Sequence, residues 1–142
     1  MIDSDGHERY ERYERYEREA SAIRKENEAH LKEFEDYLNA KGLSAKTIKR
    51  HLENVDFYIN TYLLYEEANR IDAGCTMVNG FLGSFFIRKC MWSTPATIRQ
   101  NAASLKKFYK CMLEKGHITK DDFDYLQEEI KEGMPEWIEA CE

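Results

Sequence analysis

The sequence predicts an all-α, single-domain bundle of about five helices, preceded by a long N-terminal helical extension. Three observations carry this. First, residues 8–41 contain neither glycine nor proline, and the whole chain holds only two prolines, so long uninterrupted helices are allowed. Second, 34% of the side chains are charged while 42% are apolar, a balance that suits amphipathic helices around one core rather than an all-β fold. Third, the stretch TPATIRQNAASLKKFYKCMLEKG (94–116) carries start, stop and period signals of one amphipathic helix.

That stretch organises the rest. Ser93 or Thr94 can cap a helix, Pro95 suits the first helical position, and Gly116 can take the left-handed conformation that ends it. Ile98, Ala102, Leu105, Tyr109, Met112 and Leu113 fall on one face, built to be buried. Arg99, Ala103, Lys106 and Lys110 form a stripe on a flank, with Gln100 and Lys107 further round, and no acid appears before Glu114.

In chain order, the opening ERY repeat sets Tyr10, Tyr13 and Tyr16 three residues apart, with Glu8–Arg12, Glu11–Arg15 and Glu14–Arg18 as favourable i,i+4 pairs. A period of three drifts about 60° per repeat on a 3.6-residue helix, so the tyrosines spiral and form no single seam. The repeat reads either as a solvated helix or as a surface for self-association or a partner helix. The globular body is expected to begin near Ile23 or His30, with Leu31, Phe34 and Leu38 inward and Gly42 as the stop. Ser44 caps the next helix, expected to run to Glu67, with Ile48, Leu52, Val55, Ile59, Tyr62 and Leu63 inward. Lys46, Lys49 and Arg50 cluster on its opposite side. Residues 68–77 read as a connection. A third helix through Val78, Phe81, Leu82 and Phe85 contains Gly80 and Gly83, which permit close packing. Thr119, with Asp122 three residues on, starts a fifth helix through Phe123, Leu126 and Ile130. Gly133 is expected to stop it, leaving a short acidic tail that carries Trp137. The expected division is thus 1–29 extension, 30–131 helical domain, 132–142 tail.

Charge sharpens this division. The net charge of −6 hides a body, residues 30–118, with 13 basic and 9 acidic side chains, between two acidic ends. Residues 119–142 hold 2 basic and 9 acidic side chains, enough for the tail to compete for the basic surface. No apolar run approaches the roughly 18 residues that span a bilayer, and MIDSDGHERY does not read as a signal peptide. The 4 cysteines include no C-x-x-C pair, so reduced, half-buried thiols in the cytoplasm are expected rather than disulfides or a zinc site.

Catalysis finds little footing. His7, His30, His51 and His117 are scattered, without Cys, Asp or Glu at recognisable ligand or triad spacing. His51 falls beside an inward face and reads as a core or boundary histidine. Gly74, Gly80 and Gly83 make no phosphate-binding loop. No catalytic residue, metal or cofactor is predicted. The basic stripes themselves read as solvated helix backs, as contacts to DNA or RNA, or as a surface for an acidic protein partner.

A shift of 50 residues aligns TIKRHLENVDFYINTYLL with TIRQNAASLKKFYKCMLE. Thr47 meets Thr97, Ile48 meets Ile98, Lys49 meets Arg99, Val55 meets Leu105, Tyr58 meets Phe108 and Leu63 meets Leu113. With the flanking segments FEDYLNAKGLSAK and MWSTPA, these residues resemble the core-binding, SAM-like domain of the tyrosine recombinase (phage integrase) family. The matching elements are residues 34–44, 47–49, 78–86 and 94–118, and the likeness covers roughly 30–130. It implies a module that clamps one side of double-stranded DNA, serving DNA recombination or integration as an accessory or regulatory factor, with a recombinase or other protein as further partner. By position it implies DNA contacts from Lys46, Lys49, Arg50, Arg99, Lys106, Lys107 and Lys110, and Gln100, with Arg99 and Asn101 at a helix N-terminus, could reach base edges. The recombinase catalytic set (an arginine, a lysine, H-x-x-R and a tyrosine nucleophile) has no counterpart in these residues, and H-x-x-R occurs nowhere. Strand cleavage is therefore not predicted. A protein-interaction or self-association module, using the bundle and the ERY helix, is the alternative.

Overall fold

The computed structural model describes residues 4–142, and residues 1–3 of the expected extension lie outside them. Among the described residues the fold is all-helical, with about five helices and no strand. Helix α1 is Ser4–Ala40. Helix α2 is Ala45–Asp56, continued by wide π-helical turns over Phe57–Tyr62. Helix α3, residues 78–89, likewise contains a π-helical stretch at Phe81–Phe85. Helices α4 and α5 are Pro95–Glu114 and Lys120–Cys141.

The boundaries follow the capping chemistry. Gly42, at φ 77°, ends α1, and the Leu43 amide reaches back to the Leu38 carbonyl at 3.4 Å. The Ser44 hydroxyl accepts from the Thr47 amide at 3.2 Å and opens α2. Thr94 and Thr97 cap each other reciprocally at the head of α4, and Thr119 and Asp122 do so at the head of α5. Gly116, at φ 81°, turns the chain out of α4.

The core is one continuous cluster around α4. Ile98, Leu105, Phe108, Tyr109, Cys111 and Met112 are fully buried there. Phe34 and Leu38 of α1, Val55 and Ile59 of α2, Phe81 and Leu82 of α3, and Leu126 and Ile130 of α5 close over it. Two buried tyrosines pin the connection before α3: Tyr58 Oη donates to the Gly74 carbonyl at 2.6 Å, and Tyr109 Oη to Ile71 at 2.7 Å. Burial pushes both phenols well above the ordinary 10.0, so they stay protonated donors.

Three sequence expectations give way. Helix α2 ends at Tyr62 rather than Glu67, because its wide turns rotate Tyr58, Ile59, Leu63 and Leu64 inward together. The body begins earlier than Ile23: Ala20 is fully buried with Leu64, and the Tyr16 hydroxyl donates to the Leu64 carbonyl. Helix α5 does not stop at Gly133. It runs on through Pro135, and residues 132–142 are its last turns. A helical side chain leans back over the preceding turn, so Trp137 lies across residue 133, where any Cβ would strike its ring. Trp137 is 2% exposed, also touches Gly83, and donates Nε1–H to Asn79 Oδ1 at 2.8 Å. Gly133 makes room for an anchor.

Candidate nucleic-acid interface

Helix α2 runs antiparallel to α1, and α4 packs against both. The Asn27 side chain donates to the Ile59 carbonyl at 3.3 Å, whereas Leu31 and Glu35 line a groove shared with Leu52 and Asp56. On the other side Glu33 meets His117 while Phe34 stacks edge-on against Phe108 at 5.4 Å. Residue numbers rise along α1 as they fall along α2. Trp92, just ahead of α4, stands 6.4 Å from Phe57 at the C-terminal end of α2, while Ser104 meets His51 and Asn54, so α2 and α4 pack with opposed directions.

A buried polar hinge joins the two. His51 Nδ1 lies 2.7 Å from Ser104 Oγ, and Asn54 Nδ2 donates to the same oxygen at 3.0 Å. Ser104 passes its own bond to the Gln100 carbonyl at 3.0 Å. His51 is satisfied in the boundary layer, as its position beside the inward face predicts, and its proton affinity is lowered by burial and then by the charges of Arg50 and Lys107. Those two cations thus face one another across the α2–α4 seam. Aligned positions of the 50-residue echo share their environments: Ile48 with Ile98, Val55 with Leu105, and Tyr58 with Phe108 are all buried.

Around this seam Lys46, Lys49, Arg50, Arg99, Gln100, Lys106, Lys107 and Lys110 are all exposed. Arg99, Gln100, Lys106, Lys107 and Lys110 share one arc of α4, about 120° wide at 100° per residue. Lys49 lies 3.9 Å from Glu53, in the i,i+4 relation. Among the described residues no carboxylate pairs with Lys46, Arg50, Arg99, Lys106, Lys107 or Lys110, while Lys32, Arg70 and Lys120 each have an acid within 3.4 Å. Lys110 sits 5.6 Å over the Phe123 ring, on the flank that faces α5. Helix ends reinforce the sign. The first turns of α2 and α4 contain no acid, whereas α5 starts with Asp121 and Asp122. The positive poles of two helices are left for an external anion, and the third is neutralised from within.

The acidic end of α5 is anchored by its own packing. Trp137 fixes it as helix, and no ion pair joins residues 132–142 to the basic arc among the described residues.

Sequence reading missed one cluster. His30 and Glu33 on α1 meet His117 from the α4–α5 corner, with ligand atoms within 4.8 Å of one another. A separation of 84 residues between Glu33 and His117 leaves no local spacing to detect; only the i,i+3 relation of His30 and Glu33 was visible. The cysteines follow expectation more closely: Cys75, Cys90 and Cys111 are free and buried, and Cys141 is free and half-buried. Burial pushes Cys75 to about 12 and Cys111 to about 11, so neither is a thiolate nucleophile near neutrality. No helix among the described residues is long and apolar enough to cross a membrane.

No family model, no curated protein and no solved structure matches the chain.

Proposed function

We propose that the chain is a non-catalytic DNA-binding module that grips the phosphate backbone of duplex DNA with the paired basic faces of α2 and α4. The observation that carries this reading is the set of exposed cations along two adjacent helices, of which, among the described residues, Lys49 alone has a carboxylate partner. Unpaired surface cations gain most by neutralising phosphates, since the counterions that DNA releases drive the association. Arg99 and Gln100, in the first turns of α4, are the side chains placed to read base edges, and the lysines position the module without reading sequence. The similarity of residues 30–130 to a recombinase core-binding domain supports a role beside a recombination or integration enzyme, as an accessory or regulatory factor.

The test is charge reversal. The triple change Arg99→Glu, Lys106→Glu and Lys110→Glu is expected to weaken binding to a random duplex by at least about a hundredfold at low salt, because each lost phosphate contact also becomes a repulsion. Reversal of Lys32 and Lys120, which are already ion-paired, is expected to change little. Equal effects of the two sets would refute the assignment.

A second reading has its own observation. Tyr10 and Tyr13 are 61% and 62% exposed on the part of α1 that precedes the body. Bare aromatic surface on this helix fits self-association or a partner helix, and this use is compatible with DNA binding by α2 and α4.

A further inference from the structure

The corner after α4 closes on α1 at a compact set of donors. His30 and Glu33 stand one turn apart on α1, and the positive φ of Gly116, 81°, directs His117 back over them. Glu33 Oε1 lies 3.5 Å from His30 Nδ1 and 3.1 Å from His117 Nε2, and Oε2 lies 3.3 Å from the same His117 nitrogen. The imidazoles stand edge to face, centroids 4.6 Å apart. His30 Nδ1 is buried and makes no hydrogen bond, Glu33 Oε1 standing off at 3.5 Å. An imidazole nitrogen withdrawn from water without a partner is costly.

We propose that His30, Glu33 and His117 bind a divalent first-row transition-metal cation, with Zn²⁺ the best fit, and so clamp α1 to the α4–α5 corner. Tetrahedral Zn²⁺ with bonds of about 2.0–2.2 Å sets its donor atoms about 3.3–3.6 Å apart. The distances of 3.5, 3.1 and 3.3 Å around Glu33 lie close to that spacing, and all the donor atoms of the triad lie within 4.8 Å of one another. Two imidazoles and one carboxylate are a donor set for zinc and its neighbours, not for Mg²⁺ or Ca²⁺. The ion would engage the orphaned nitrogen and both partners of the Glu33–His117 pair at once. A cavity of about 110 Å³ lined by His30, Arg70, Ile71, Asp72 and His117 adjoins the triad. It leaves a fourth position for water or for the Asp72 carboxylate, and the Arg70 charge beside it is compensated by Glu26 at 3.2 Å.

The experiment uses the full chain without an affinity tag, stripped by a chelator and titrated calorimetrically with Zn²⁺, then with Co²⁺ while the visible absorption is followed. One ion per chain is expected, with the intense d–d bands of four-coordinate Co²⁺. His117→Ala and Glu33→Gln, at part-exposed positions that circular dichroism should show folded, are each expected to weaken Zn²⁺ by more than about tenfold, since even outer-shell partners of ligands cost that much. His7→Ala, which removes the exposed His7–Glu11 pair, is expected to leave binding unchanged. Absence of stoichiometric binding, or binding that stays within tenfold of the unmodified chain in either ligand variant, overturns the assignment.

Discussion

His51 sits where the two basic helices α2 and α4 touch, and its chemistry makes the seam sensitive to acid. Its proton affinity in the folded chain lies below the ordinary 6.5. The unfolded chain therefore takes up the proton first as pH falls. Stability from this group is complete above 6.5 and is lost below it, until the folded-state value is reached. The melting temperature is expected to drop as pH is lowered from neutrality, and to drop less in His51→Gln; parallel profiles for the two proteins would contradict this. His51→Gln keeps a polar partner for Ser104 Oγ, so the comparison isolates the charge. Gly133 makes a second point at this scale. An exposed helical Gly→Ala change gains up to about 1 kcal/mol, but here the new methyl meets the Trp137 ring. Gly133→Ala is expected to destabilise despite the better helix former, and Trp137→Ala to cost about 3–5 kcal/mol, both read by denaturant unfolding.

At the scale of elements, much of the helical plan is legible in the residues, because capping and period are local. Ser44, Thr94 and Thr119 open their helices, and Gly42 and Gly116 end theirs, as their side chains and φ angles require. What local reading misses is decided by tertiary contact. Gly133 followed by Pro135 reads as a stop, yet the indole finds Gly83 and Asn79 across the bundle and carries the helix on. The π-helical turn at Phe57–Tyr62 is invisible to a 3.6-residue period because it exists to stack Tyr58 and Tyr62 on Phe81. The His30–Glu33–His117 triad is hidden for the same reason, one member arriving from a distant corner. The basic residues were legible as types; the lack of acidic partners for all but Lys49, and the packing of α2 against α4 through Ser104, were not. The ERY segment supplies the prediction of this scale. Deleting residues 1–15 removes exposed Tyr10 and Tyr13 but stops before Tyr16, Ala20 and Ile23, so the body is expected to keep its melting temperature. Any concentration-dependent increase in mass shown by the full chain should disappear with the segment; an increase that persists would place self-association on the bundle instead.

The molecule as a whole divides its charge by structure rather than by sequence position. Carboxylates concentrate in α5, which begins with acids and ends in an acidic turn locked down by Trp137. On α2 and α4 basic residues outnumber acidic ones, and the helix heads add their own positive poles. A net charge of −6 therefore coexists with a local surface that attracts phosphate, and the acidic helix limits adhesion elsewhere on the molecule. The central claim, that this surface binds duplex DNA through its backbone, is tested most directly by titrating the full chain against a random duplex at two salt concentrations. If four to six phosphates are neutralised, a fourfold rise in salt should weaken binding by about a hundred- to a thousandfold. Binding that is undetectable at the lower salt, or that is indifferent to the change, would contradict the account.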